Sequence, residues 1–197
     1  IEMITGDPKK AINKLALPII ASMLLIMANN IIDSIWVAGL GAEPLAALGY
    51  VTPLFMILIG IGNGIGAGGN SLISRYIGAE NHKSANNAAI HNFILGVIIS
   101  IAVSAILLGL LKPLLIVMGA EAVLSYAMEY GIVIFSFSFA MLLPPIFGGA
   151  FRAEGDVKRA TLPLAITAIT NMCIDPIFIY TLNLGVAGAA WATVIGQ

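Results

Sequence analysis

Two carboxylates, Asp33 and Asp175, interrupt long apolar runs, and each has an asparagine four residues before it, Asn29 and Asn171. An i, i+4 spacing puts both polar groups on one helical face. Ser22, Ile26, Asn29 and Asp33 form one stripe, and Thr167, Asn171 and Asp175 form another. Thr193 brings a hydroxyl in a third apolar run. Two carboxylates, an amide oxygen and a hydroxyl make a hard oxygen site of the kind that takes Na⁺ or a shared proton. Such a carboxylate pair titrates as a unit, so a proton and a metal cation compete for it. An aspartate at the centre of a membrane helix costs about 2.5–3.5 kcal/mol on insertion scales, and ion and substrate pathways are where it is tolerated. A lone aspartate near a helix end could simply snorkel. Two at matched depth, each with its own asparagine, point to a site.

The elements that carry these residues are membrane-spanning helices. The 197 residues are 59% hydrophobic and 10% charged, against about 25% charged in soluble domains. So few charges cannot cover a water-exposed surface. About 20 apolar residues cross a bilayer core, and that window predicts five full spans at 13–38, 51–74, 88–111, 124–150 and 160–181. A sixth begins at 186 and is cut short at 197. The breaks carry turn residues, such as Gly39 and Gly41, Gly119, and Gly155 with Asp156. Runs of this length without polar alternation exclude a β-barrel. Starting on Ile1 and stopping inside an apolar run, the sequence reads as a piece of a longer chain. No signal peptide stands out, and the lone Cys173 rules out an internal disulfide.

Basic residues set the expected orientation. Lys9, Lys10, Lys14, Arg75, Lys83, Arg152, Lys158 and Arg159 precede span one or fall between spans two and three or four and five. Lys112 alone lies on the other side. The positive-inside rule then puts the N-terminus in the cytoplasm of a multi-pass protein of the cell membrane. Trp36, Tyr50, Tyr126 and Tyr180 fall near the outer boundary, as aromatic belts do. Asp33 lies six residues before Gly39, Asp175 six before Thr181, and Thr193 about seven into span six. At 1.5 Å per residue all three sit roughly 9–11 Å below the outer surface, where neighbouring spans would let them converge with Asn171.

Other motifs carry less. Gly64-x-Gly66-x-x-Gly69 matches a dinucleotide fingerprint, but inside a membrane span and without a strand–turn–helix unit. The overlapping Gly-x-x-x-Gly spacings of Gly60 to Gly69 instead predict close helix approach. Asn63, in the same run, is either structural or faces a cavity. His91, Asn92, Asn86 and Asn87 read as an interfacial cluster, and Glu129 and Tyr130, a turn or two into span four, could face a cavity, with snorkelling the favoured reading of Glu129. Pro144 and Pro145 predict a kink in span four. Pro176, next to Asp175, frees the Met172 carbonyl. No basic stripe indicates nucleic acid.

The assembled residues resemble the multidrug and toxic compound extrusion (MATE) family. The pieces, in chain order, are Leu17-Pro18, Asp33 with Val37-Ala38-Gly39-Leu40-Gly41, Leu45-Ala46-Ala47-Leu48-Gly49 and Gly78-Ala79-Glu80. Phe151-Arg152-Ala153-Glu154-Gly155-Asp156 and Asn171-x-x-x-Asp175-Pro176 complete them. A weak internal echo links the Leu17-Pro18 to Ala47 stretch with Leu162-Pro163 to Ala190. The resemblance implies an all-α membrane protein, here a six-helix N-terminal lobe of a twelve-helix transporter in its DinF-like or archaeal branch. It implies export of organic, often cationic, compounds in exchange for Na⁺ or H⁺, with no cofactor beyond the coupling ion. It places Asp33, Asn171, Asp175 and Thr193 in the cation site, as Na⁺ ligands if sodium is the coupling ion. Tyr130 becomes a cavity residue, with Asn29 and Asn63 as further candidates. The expected partners are the lipid bilayer, a small organic substrate and the missing C-terminal lobe.

Three other readings are open to such a chain, one of them a membrane protein with a structural or assembly role and no transport. A lipid-linked oligosaccharide flippase of the same superfamily would carry a more cationic cavity. An intramembrane aspartyl protease would show Tyr-Asp and Gly-x-Gly-Asp contexts, where this chain has Ile32-Asp33-Ser34 and Ile174-Asp175-Pro176. No other catalytic constellation is present, so no enzyme activity is expected.

Overall fold

A computed structural model describes the backbone of residues 8–197 and, within that range, the side chains except those of residues 8–15, 18, 19 and 22. Lys9, Lys10, Lys14, Pro18 and Ser22, named above for charge, motif and stripe, therefore lie outside the described side chains. The described chain is all helical. α1 spans Pro8–Ala38, α2 Ala42–Gly78 and α3 His82–Val117. After a 3₁₀ turn at Glu121–Val123 come α4, Leu124–Ser136, and α5, Ser138–Ala153. α6 spans Val157–Pro176, continues as a π-helical turn at Ile177–Thr181, and is followed by α7, Gly185–Gly196.

α2, α3 and α6 with its π turn are each long and apolar enough to cross a membrane. α4 and α5 together make a fourth, broken span bent by 48°. α2 and α3, at 37 and 36 residues, are longer than the ~30 Å hydrocarbon core requires at ~1.5 Å per residue. The helices extend beyond the expected spans 51–74 and 88–111 at both ends, α2 through the flanking residues 42–50 and α3 through 112–117.

The turns explain several of the family pieces. Between α2 and α3, Asn81 N–H reaches back to the Tyr76 carbonyl at 2.9 Å, and the Asn81 side chain accepts from Ser84 N–H at 3.0 Å. Between α5 and α6, Asp156 N–H reaches the Phe151 carbonyl at 3.0 Å, and its carboxylate accepts from Arg159 N–H at 3.0 Å. Each turn closes one helix and caps the next. The left-handed position is Gly155 in one turn (φ 79°) and Glu80 in the other (φ 57°).

The expected kink at Pro144 and Pro145 falls elsewhere. The helix runs on through both prolines, and the span breaks at Phe137. There the Phe135 carbonyl accepts from the Ser138 hydroxyl at 2.7 Å and from the Ser104 hydroxyl of α3 at 2.5 Å. Two serine hydroxyls thus bond to a carbonyl beside the break, and side chains inserted at the helix ladder are a recognised cause of kinks.

Two packing units result. α2 packs along α5 and α3, while α1 packs along α6, and α7 bridges α4 and α6. The glycines of α2 serve the first unit. Gly62, Gly66 and Gly69 are buried against Leu142, Pro145 and Asn92, and Gly149 of α5 sits on the Gly66 backbone. The Gly64–Gly69 fingerprint is thus mid-helix packing surface, with no strand among the described residues.

Candidate functional site

Asp33 is carried by α1, Asn171 and Asp175 by α6, Tyr130 by α4 and Thr193 by α7. Because α6 touches α1 and α7, and α7 touches α4, these residues face one junction. Asp175 is completely buried, Asn171 and Thr193 are buried and Asp33 is half-buried. The two carboxylates are near enough to act on each other electrostatically, and both act on Tyr130, whose hydroxyl interacts with the Thr193 side chain.

Hydrogen bonding fixes the local chemistry. Both Asp175 oxygens are acceptors, so the Asn171 amide must present its nitrogen. It then donates to Asp175 Oδ1 and Oδ2 at 2.8 and 2.9 Å. Thr193 donates its hydroxyl proton to the Ala189 carbonyl one turn back, at 2.9 Å. Its oxygen lone pairs are left to face a donor or a cation.

Span one shows the opposite condition. Asn29 Oδ1, Asp33 Oδ1 and Trp36 Nε1 are buried with no hydrogen-bond partner among the described residues. An unpaired buried acceptor costs about 1–3 kcal/mol, so oxygens at Asn29 and Asp33 suit a species that brings positive charge or a proton. The donor set is oxygen-only. Among the described residues no group of three or more His, Cys, Asp and Glu side chains could hold a metal ion, which separates this site from a thiolate or imidazole centre.

Not every candidate joins the group. Asn63 is exposed on a face of α2 turned away from its buried glycine row. Glu129 is exposed, as a snorkelling residue would be. His91 bonds within its own helix, its Nδ1 lying 2.7 Å from the Asn87 carbonyl. Asn92 departs from the interfacial reading by packing its amide over Gly69. Trp36 and Tyr180, assigned above to an interfacial belt, in fact contact each other. The Tyr180 hydroxyl donates to the Trp36 carbonyl at 2.6 Å, and the rings meet edge to face with centroids 6.0 Å apart. Nothing in the local sequence could have signalled a bond between residues 144 positions apart.

Fold and site together define a multi-pass helical membrane protein with an acidic, oxygen-lined junction buried between its helices. The chain belongs to the MatE family, whose model matches residues 18–177. It is 28% identical over 186 residues to the FAD transporter of Shewanella oneidensis, covering 91% of this chain and 41% of that protein. It is 26% identical to the multidrug export protein MepA of Staphylococcus aureus, covering 95% and 42%. Among solved structures it matches the outward-facing conformation of a multidrug resistance MATE family transporter of the MOP superfamily. That match has a TM-score of 0.93 at 39% identity and covers 99% of this chain and 44% of the other. The chain spans about two fifths of the length of the curated relatives it matches.

Proposed function

We propose that this chain is the cation-coupling lobe of an antiporter that exports organic compounds from the cell by alternating access, driven by Na⁺ or H⁺. The observation that carries the proposal is the meeting of Asp33 and Asp175 from separate helices, inside an apolar span region, with Asn171, Thr193 and Tyr130 around them. Asp33, Asn171, Asp175 and Thr193 supply the oxygens for the cation, and Tyr130 and Asn29 line its surroundings. Arrival of one cation or proton neutralises charge in the junction and lets the α1 and α6 stripes repack. A ligand shifts a conformational equilibrium only by its differential affinity, so the site must differ between the two access states. The membrane potential adds about 2.3 kcal/mol per charge per 100 mV. Because proton and Na⁺ would share the same carboxylates, acidification lowers apparent Na⁺ affinity.

We place the chain in the cell membrane with its N-terminus in the cytoplasm. Support comes from Arg75, Lys83, Arg152, Lys158 and Arg159 at one end of the helices against Lys112 toward the other. A second lobe completes the substrate cavity. Relatives named for multidrug export and for FAD transport set two substrate classes to be tried, an organic cation and a flavin dinucleotide.

The test uses the protein at its native length in proteoliposomes. Efflux of a fluorescent organic cation, or of the flavin, is followed under an imposed Na⁺ or H⁺ gradient. Wild type should respond to one gradient, and Asp33→Asn and Asp175→Asn should each abolish the response. Gradient-independent efflux, or mutants as active as wild type, would reduce the aspartates to structural residues.

A further inference from the structure

The junction has a cap. Trp36 lies three residues beyond Asp33 on α1, and Tyr180 five beyond Asp175 in the π turn after α6. Both are therefore about 5–8 Å nearer the helix ends at ~1.5 Å per residue. The Trp36 carbonyl belongs to the last turn of α1. Gly39 N–H reaches it at 3.2 Å while also reaching the Ile35 carbonyl, and Leu40 N–H turns instead to the Val37 carbonyl. Tyr180 supplies a strong donor to that weakly satisfied carbonyl, at 2.6 Å. The π turn, with Leu182 N–H bonded to the Ile177 carbonyl at 2.8 Å, brings the tyrosine round to α1.

Gly39 is the third member. A Cβ there would lie 2.1 Å from the Tyr180 hydroxyl oxygen, so any larger residue displaces the tyrosine. The Trp36 ring edge lies against Tyr180, and its buried indole nitrogen has no partner among the described residues. Asn29, Asp33 and Trp36 follow an i, i+4, i+7 pattern, which is one face of α1. The cap and the unpartnered oxygens below it thus share a stripe.

The geometry points to Trp36, Tyr180 and Gly39 as a latch that ties the end of α1 to α6 and gates cation access to Asp33 and Asp175 from that end. This rests on the cation-site reading above. Tyr180 acts as a positioning residue. It touches no cation, but its hydrogen bond ties the end of α1 to the π turn beyond the carboxylates. When it parts, α1 is free to separate from the π turn and the junction opens.

The experiment labels carboxylates in the native-length protein with a water-soluble carbodiimide and a fluorescent amine, with sites mapped by peptide mass spectrometry. In wild type at fixed pH, labelling of Asp33 or Asp175 should be slow and blocked by Na⁺. Tyr180→Phe keeps the ring and removes the bond, and Gly39→Ala drives the ring away. Each should speed labelling about fivefold, the effect of losing one hydrogen bond from an opening equilibrium, while labelling remains blocked by the cation. In a background where Trp191 and every other tryptophan of the native-length protein except Trp36 are replaced by phenylalanine, Trp36 emission should shift to the red in both variants. Cation-blocked labelling at an unchanged rate in the variants would overturn the latch and leave the site standing. Wild-type labelling that no cation blocks would overturn both. If Gly39→Ala fails to fold, Tyr180→Phe decides alone.

Discussion

Asn171 is bound to Asp175 through its amide nitrogen, so its carbonyl oxygen is the part left for a cation or a water. Removing that side chain takes both donors from a completely buried carboxylate and one oxygen from the site. Hydrogen bonds to charged groups contribute about 1.5–3 kcal/mol each. Asn171→Ala should therefore weaken cation binding by at least about tenfold, read as the Na⁺ concentration that half-blocks carbodiimide labelling at fixed pH. Thr193→Val should weaken it less, since it removes one lone-pair donor whose proton is already committed to Ala189. Equal, negligible effects of both would remove these residues from the site. The aspartates, asparagines and Thr193 were legible in the sequence because a polar side chain in a long apolar run must be explained by what it faces. Tyr130 was legible as a cavity candidate from its place in span four and by resemblance, but its local spacing does not distinguish it from an aromatic core residue. Trp36 and Tyr180 were visible as aromatics near a boundary, but their pairing is a tertiary fact.

Helix ends and breaks behave as local chemistry dictates. Glu80 holds the left-handed position of the α2–α3 turn at φ 57° and is exposed, while the equivalent α5–α6 turn uses Gly155. A non-glycine residue there costs about 1–2 kcal/mol. Glu80→Gly should raise the thermal unfolding midpoint in detergent, and a fall would show that the Glu80 side chain contributes more than its backbone costs. At the α4–α5 break, Ser104 and Ser138 share one acceptor, the Phe135 carbonyl. Ser104→Ala or Ser138→Ala alone should destabilise by about 1 kcal/mol, and the pair by more than the sum, because only the double variant leaves a buried carbonyl without its serine donors. A double-mutant cycle on unfolding midpoints measures the excess. This break also shows the limit of reading kinks from sequence. Pro144 and Pro145 mark where a helix hydrogen bond must be missing, yet the bend falls where a neighbouring helix provides a substitute donor.

At the scale of the whole molecule, α2 carries two glycine rows with opposite surroundings. Gly62, Gly66 and Gly69 meet other helices, whereas Gly60, Gly64 and Gly68 have nothing among the described residues within 4 Å of where a Cβ would stand. The sequence made the glycine run visible and correctly tied it to close helix approach. It could not say which row packs, because both repeat at helical spacing and only the position of α5 separates them. At Gly66 an added Cβ would fall 2.4 Å from the Pro145 carbonyl oxygen, and at Gly149 it would fall 2.2 Å from the Gly66 carbonyl oxygen. Both neighbours are backbone and cannot swing aside. Gly66→Ala and Gly149→Ala should therefore force α2 and α5 apart and destabilise by about 1–3 kcal/mol or more. Gly64→Ala should be neutral or stabilising by up to ~1 kcal/mol, since alanine is the better helix former and meets nothing. Thermal unfolding of the three variants side by side tests whether the α2–α5 contact organises the bundle. A Gly64→Ala variant as damaged as Gly66→Ala would mean that a further surface, not α5 alone, closes on this helix, and the open row would then belong to an interface.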